Sequence, residues 1–268
     1  RQVTQTSAYA QADVLRIETR GGAIEATGNH PMHTTTRGWV DAANLAVGDV
    51  LTEAECGTSL DMPQDPWRVC LTALMIGDGC TRGKTPFFTC NEPEIVQMVK
   101  EVVPEDLYVV PIANTISYKI ASRLHNENRL KDSLVADGLW GEKSKRKFLP
   151  AWVFRLPKDQ RVLFLRWLWG CDGTITESTT SYFTASLSLA RDVRFLLLSL
   201  GIRVPVVGHV VGNGSGKRFQ AYYLALYGHN RIAFDRIGKL NRSVTLKVTP
   251  RPKGPTGEIL AITEAGKQ

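Results

Sequence analysis

No apolar run in the chain approaches the ~20 residues needed to cross a bilayer, and no basic-then-apolar leader opens it. The expectation is a cytoplasmic chain with no membrane association. Cysteine is scarce. Five occur in 268 residues (Cys56, Cys70, Cys80, Cys90, Cys171), and none forms a C-x-x-C pair. The odd number excludes a full disulfide framework, so a reducing compartment is expected. Negative charge is also sparse over most of the length. Residues 1–66 carry −5, but residues 67–268 carry +12. That basic balance points to a polyanionic partner, most simply nucleic acid. A well-solvated surface would look the same, so charge alone does not decide. Hydrophobic residues at 43% and charged residues at 22% are ordinary for a soluble globular protein. The length allows one large domain or two modest ones.

What the chain does have is one phrase written twice. Leu71–Gly79 (LTALMIGDG) returns as Leu165–Gly173 (LRWLWGCDG). Each copy is an apolar run ending in Asp-Gly, and each is followed by a Thr-rich polar stretch. The two aspartates stand 94 residues apart, room for one small unit per copy. The patterns predict helices over 67–77, 94–103 and 128–137 in the first copy, with hairpins at 79–89 and 107–121, the second turning at Ala113-Asn114. The second copy predicts helices over 159–170, 189–200 and 229–240, with hairpins at 173–184 and 204–227. Phe88-Thr89 lies 10 residues after Asp78, and Phe183-Thr184 lies 11 after Asp172. Aligning those two pairs gives each unit the order α-β-β-α-β-β-α. Outside the repeats, residues 1–55 read as short strands, with Gly21-Gly22 as a turn. A polar linker follows to Pro66. The tail from Val248 holds three prolines and one short strand, Glu258–Ile262.

Both phrase helices are apolar nearly all round and should be buried. Ala73 and Gly77 share a face and would allow close helix approach. If the helices pack together, Asp78 and Asp172 emerge side by side. Two close carboxylates repel, and a divalent cation relieves the repulsion. Oxygen ligands favour Mg²⁺, or Mn²⁺ in its stead, and such a metal can activate water for phosphodiester hydrolysis. The Gly77 and Cys171 backbone carbonyls are further candidate ligands. A single Asp-Gly would read as a helix-ending turn, but two copies in a basic protein favour the metal. Gly83-Lys84-Thr85 ends like a phosphate loop, yet Asp78 stands where its first glycine belongs and a helix precedes it, so nucleotide hydrolysis is rejected. His30 and His33 have no cysteine or acidic partner at zinc spacing.

These repeats resemble the LAGLIDADG homing endonucleases in their two-motif, single-chain form, over roughly residues 67–245. The resemblance implies an α+β fold, a pseudo-twofold pair of α-β-β-α-β-β-α units whose sheets form a saddle on DNA. It implies a site-specific double-strand endonuclease, a monomer acting on a long, nearly asymmetric DNA site, with Asp78 and Asp172 holding metal. The repeats divide at 67–150 and 151–245. A basic residue near the metal is also implied, and Lys119, Arg123 and His229 are the candidates. DNA contacts are expected from Arg82, Lys84, Lys119, Lys217 and Arg218 on the hairpins. Lys143, Lys145, Arg146 and Lys147 form a basic cluster that either holds DNA backbone or is a solvated loop.

A second resemblance covers residues 1–58. Thr27-Gly28-Asn29-His30, with Gly38-Trp39-Val40 and Leu45–Asp49, is similar to the Thr-x-x-His block of intein splicing domains, a small all-β fold. It implies that His30 polarises a scissile amide and that Thr27 orients it. Residues 250–268 would be the return strand of that domain. Phe164–Gly170 is similar to inteins of replicative DNA helicases. The chain opens with Arg1 and closes with Gly266-Lys267-Gln268, lacking the first Cys or Ser and the terminal His-Asn that splicing needs, so splicing is expected only with those ends supplied. Trp167 stands where the family has a small residue, and either fills the space beside Ala73 and Gly77 or weakens the interface. The competing readings are a non-cleaving DNA- or RNA-binding protein of the same fold, and a splicing intein with a decayed endonuclease.

Overall fold

The structure is a computed structural model that describes residues 12–52, 61–125, 127–212, 218–235, 237–240 and 257–267. In chain order come strands β1 (Asp13–Thr19), β2 (Gly22–Thr27), β3 (Pro31–Thr34) and β4 (Gly38–Asp41). Next are α1 (Pro66–Ile76), β5 (Gly79–Cys80), β6 (Phe87–Thr89), α2 (Pro93–Val102), β7 (Leu107–Pro111), β8 (Ser117–Ser122) and α3 (Arg129–Ala136). The same order then returns as α4 (Lys158–Asp172), β9 (Gly173–Ile175), β10 (Thr180–Thr184), α5 (Leu187–Leu198), β11 (Val207–Gly212), β12 (Arg218–Leu226) and α6 (Gly228–Asp235). Strand β13 (Ile259–Lys267) comes last. The class is α+β, and the chain divides into two units.

The first unit joins Arg1–Glu55 to Arg251–Gln268. Its main sheet has the order β13-β1-β2, all antiparallel. Ile17 at its centre pairs with Ile24 on one side and Ile262 on the other. It is fully buried with Ala42, Leu45, Leu51 and Ile259. Strands β3 and β4 form a separate hairpin.

The second unit spans Cys56–Pro250. Pro66 opens α1 at a position where no N–H is needed. Every residue from Val69 to Ile76 is buried, as an all-round apolar helix requires. α4 buries Phe164, Leu165, Trp167, Leu168, Trp169 and Gly170 and packs along α1 in one shared core. By contrast α2 buries only Ile95, Val96 and Val99, the stripe of a surface helix. The two four-stranded sheets run β5-β6-β8-β7 and β9-β10-β12-β11, the same connectivity in each half. Asn114 takes a left-handed φ of 57° in the β7–β8 turn, at the Ala113-Asn114 position the sequence predicts.

The strand register corrects the internal alignment by one residue. Gly79 pairs with Phe88, and Gly173 pairs with Tyr182. Phe88 and Tyr182 are therefore the equivalent pair, each 10 residues past its aspartate, and both are fully buried. Phe183 is 43% exposed on the opposite face. A one-residue slip in a strand moves a side chain to the other face, so the matching of Phe183 with Phe88 that the sequence invited is wrong. The outer face of the first sheet then carries Phe87, Thr89, Ser117 and Lys119. The same positions of the second carry Ser181, Phe183, Tyr223 and Ala225.

Candidate functional site

Asp78 directly follows α1, one residue past its capping Gly77, and Asp172 is the last residue of α4. The helices converge there because Gly77 has no side chain. A Cβ on Gly77 would lie 2.3 Å from Cys171 Cβ and 2.7 Å from its Sγ. Cys171 therefore takes up the close approach at Gly77, and its thiol donates to the Trp167 carbonyl at 3.5 Å. Trp167 is buried in the shared core.

Each aspartate is followed by glycine for a steric reason. A Cβ at Gly79 would fall 2.3 Å from Met75 Cα, and one at Gly173 would fall 2.1 Å from the Trp169 ring. Gly173 has φ −95°, a value open to any residue. What excludes a side chain is the chain folding back onto its own helix.

Burial raises the Asp78 carboxyl above its ordinary value, against the Cys171 thiol and the positive charges of Lys147 and Lys239, which lower it. Asp172 is pushed up to about 6, first by burial and then by the charge of Asp78, while Lys147 opposes. Asp172 keeps an exposed flank, and the protein packed around the remainder removes its hydration. Two desolvated carboxyls, both raised above their ordinary value and one of them by the charge of the other, are a site seeking a cation. Among the described residues no cluster of three or more His, Cys, Asp or Glu side chains could hold a metal. The donor set is thus two carboxylates, which suits a hard ion that keeps water and takes further oxygen from a phosphate. It does not suit zinc.

Two lysines stand at these helix ends. Lys147 is only 8% exposed. Its ammonium donates to the carbonyls of Met75 at 3.0 Å, Gly77 at 3.0 Å and Gly79 at 3.1 Å. All three N–H donors are used. Burial lowers its pKa, opposed by the charges of Asp172, Cys171 and Asp78. Lys239 donates to the Gly173 carbonyl at 3.1 Å. The sequence pattern marks neither lysine as a site residue, and Lys147 reads there as part of a solvated or DNA-facing cluster. The signal was present: they follow Asp78 and Asp172 by 69 and 67 residues, just beyond the third helix of each repeat.

The other candidates lie elsewhere. Lys119 is exposed on β8 opposite Phe87 and Val110. The Arg123 Nε donates to the Glu105 carbonyl, with the guanidinium 5.1 Å from the Tyr108 ring centre. Neither bonds to Asp78 or Asp172 among the described residues. His229 lies in α6, and its side chain is outside the described set, as is Lys217. Arg82 and Lys84 are exposed in the β5–β6 loop, and Arg218 is exposed at the start of β12. The Gly77 carbonyl, a candidate metal ligand, is held by Lys147. In the first unit, the His30 N–H donates to the Thr27 carbonyl and the His30 carbonyl accepts from Ala42, each at 2.9 Å. Thr27 is half-buried and His30 exposed.

Residues 159–237, which lie in the second repeat, match the family described as the LAGLIDADG-like domain. The replicative DNA helicase DnaB of Synechocystis sp. is 29% identical over 85% of this chain and 28% of its own length. RecA of Mycobacterium tuberculosis is 29% identical over 71% of this chain and 26% of its own. The chain thus spans about a quarter of the curated relatives it matches. Among solved structures, a homing endonuclease, I-DmoI, is 15% identical with a TM-score of 0.44, covering 65% of this chain and 94% of that one. The family match and the curated relatives accord with the resemblance drawn from the repeats. No helix among the described residues is long and apolar enough to cross a membrane.

Proposed function

We propose that this chain is a site-specific double-strand DNA endonuclease carried within an intein of a DnaB-type helicase gene. The observation that carries the reading is the pair of desolvated carboxyls, Asp78 and Asp172, both raised above their ordinary value at the ends of two packed helices. Asp78 and Asp172 would hold Mg²⁺ or Mn²⁺, which when bound supplies Lewis acidity for phosphodiester hydrolysis. Lys147 holds a fixed positive charge near both carboxylates. With its three donors spent on carbonyls it acts by charge and by bracing the end of α1. Lys239 makes one such bond among the described residues and keeps donors for water or a phosphate oxygen. The two halves form a pseudo-twofold pair, and their outer sheet faces meet the major groove, with Arg82, Lys84, Lys119 and Arg218 on phosphates.

Two observations support the intein layout. The strands β1 and β13 pair although the whole second unit lies between them in sequence, which is the topology of an insertion. The chain also matches about a quarter of two differently named proteins, DnaB and RecA, so the shared segment belongs to neither enzyme's own activity. Thr27 and His30 are assigned to splicing, which requires the end segments.

The test is a supercoiled plasmid carrying the uninterrupted helicase-gene site, incubated with Mg²⁺. Linear product is expected from the parent, and at least a hundredfold less from Asp78→Asn or Asp172→Asn, as for removal of a group that stabilises transition-state charge. Equal cutting by both variants would refute the assignment. Salt-sensitive binding without cutting by the parent would favour the non-cleaving reading.

A further inference from the structure

The most informative contact outside the carboxylates lies behind Lys147. Its side chain reaches the end of α1 in the first half. Its backbone is held from the second half. The Ser186 hydroxyl donates to the Lys147 carbonyl at 2.6 Å. The same oxygen accepts the Leu189 N–H at 3.2 Å, capping α5. One proton and one lone pair are thereby committed, and Ser186 is 1% exposed. Two residues on, the Leu149 N–H donates to Asp192 Oδ2 at 2.9 Å. Asp192 also lies on α5, and burial raises its carboxyl while this N–H bond lowers it. Residues 147–149 are therefore gripped at both ends by one helix of the second half.

We propose that Ser186 and Asp192 are positioning residues that set the seat of Lys147, so that the second half fixes the charge beside the first half's Asp78. The arrangement has a mechanical logic. The ammonium must meet three carbonyls at 3.0–3.1 Å. A long side chain does that reproducibly only if its own backbone is fixed. A displacement of about 1 Å near reacting groups can cost as much as a hundredfold in rate. A helix cap serving only α5 would leave the Lys147 carbonyl untouched. The bond to that carbonyl links the cap to the site. The inference rests on the nuclease reading for its catalytic consequence, but the seat itself can be measured without activity.

The experiment has two arms on the full chain. In the first, lysine acetylation is followed by mass spectrometry without DNA or metal, well below the melting temperature. Lys147 should be protected relative to Lys143 and Lys145 in the parent. Ser186→Ala should raise its labelling at least about fivefold, and Ser186→Thr, which keeps the hydroxyl, should restore protection. Asp192→Asn should give a partial rise. In the second arm, single-turnover cleavage should fall about three- to thirtyfold in Ser186→Ala with DNA affinity unchanged. The loss should vanish when Ser186→Ala is added to Lys147→Met, because residues acting through one group are not additive. Unchanged labelling in Ser186→Ala overturns the inference, as does full additivity with Lys147→Met. Labelling that responds as expected in a parent that cuts no DNA would sink the nuclease reading and leave the seat standing as a structural device.

Discussion

Replacing Asp172 with asparagine should make the metal-free protein more stable at alkaline pH, although it removes the proposed metal ligand. The carboxyl sits at about 6 in the folded chain against 3.8 for an ordinary aspartate. The protonated form is the one the fold favours. Its contribution is complete below about pH 3.8 and is lost as pH rises through about 6. At full strength that difference is worth about 3 kcal/mol. The exposed flank of Asp172 screens it, and about 1 kcal/mol is the figure to carry forward. Asparagine has nearly the same shape and no charge. In EDTA the variant and parent should melt together at pH 4. At pH 8 the variant should melt roughly 2–4 °C higher, the shift expected for about 1 kcal/mol in a domain of this size. Ten millimolar Mg²⁺ should then raise the parent, by about 1.4 kcal/mol if its dissociation constant is about 1 mM, and leave the variant unmoved. The assay is a thermal scan across pH, with and without Mg²⁺. A melting difference that stays flat from pH 4 to 8, or an asparagine variant that is weaker at pH 8, would refute the claim that Asp172 is held at an energetic cost.

Gly77→Ala should cost about 1–3 kcal/mol, the usual penalty for overpacking a tight contact, because its Cβ would meet Cys171 Cβ. Chemical denaturation should find partial rescue by Cys171→Gly and none by Cys171→Ala, which keeps the clashing atom. Lys239→Met should slow one strand more than the other, so that nicked plasmid accumulates on a gel before linear product; equal slowing of both strands would contradict the unequal roles given to Lys147 and Lys239. On a DNA site obtained by selection, replacing thymine with uracil removes only the 5-methyl group. That change should weaken binding in the half-site under Phe183 and Tyr223 and have little effect under Ser117, which has no methyl or ring to set against it, since apolar groups read that methyl. Phe183→Ala should abolish the difference in a binding titration.

The parts of this molecule that were legible in its sequence are those where local pattern and burial agree. An apolar run with no polar face can only be an interior helix, so α1 and α4, with the aspartates at their ends, could be read directly. The Ala113-Asn114 turn was legible because few residues tolerate left-handed backbone there. The partner of Gly77 was not. Spacing identifies a small residue, but only the crossing of two helices shows what it touches, and Cys171 was the answer. The strand alignment failed for a related reason. Phe-Thr occurs in both copies, and matching identical letters overrode the period of two that governs a strand. The register shows Tyr182 in the place of Phe88.

The lysines were the hardest to read, because a lysine's ordinary place is the surface. Four basic residues in a row of five, Lys143 to Lys147, give no sign that the last one turns inward. What turns it is a set of carbonyls. A helix end leaves backbone oxygens without partners, and the tight return at Gly79 brings a third one beside them. Burying an ammonium is costly unless each N–H is bonded, and here each is. The same geometry explains why the cluster cannot act as a uniform basic patch. Lys147 is committed to the fold, so any electrostatic grip on DNA from that segment falls to Lys143, Lys145 and Arg146. Neutralising those three should reduce the salt dependence of binding by up to about three contacts' worth of slope, with Lys147 still seated. A slope that does not change would mean the segment faces away from the DNA, and the basic balance of the chain would then have to act through the hairpins alone.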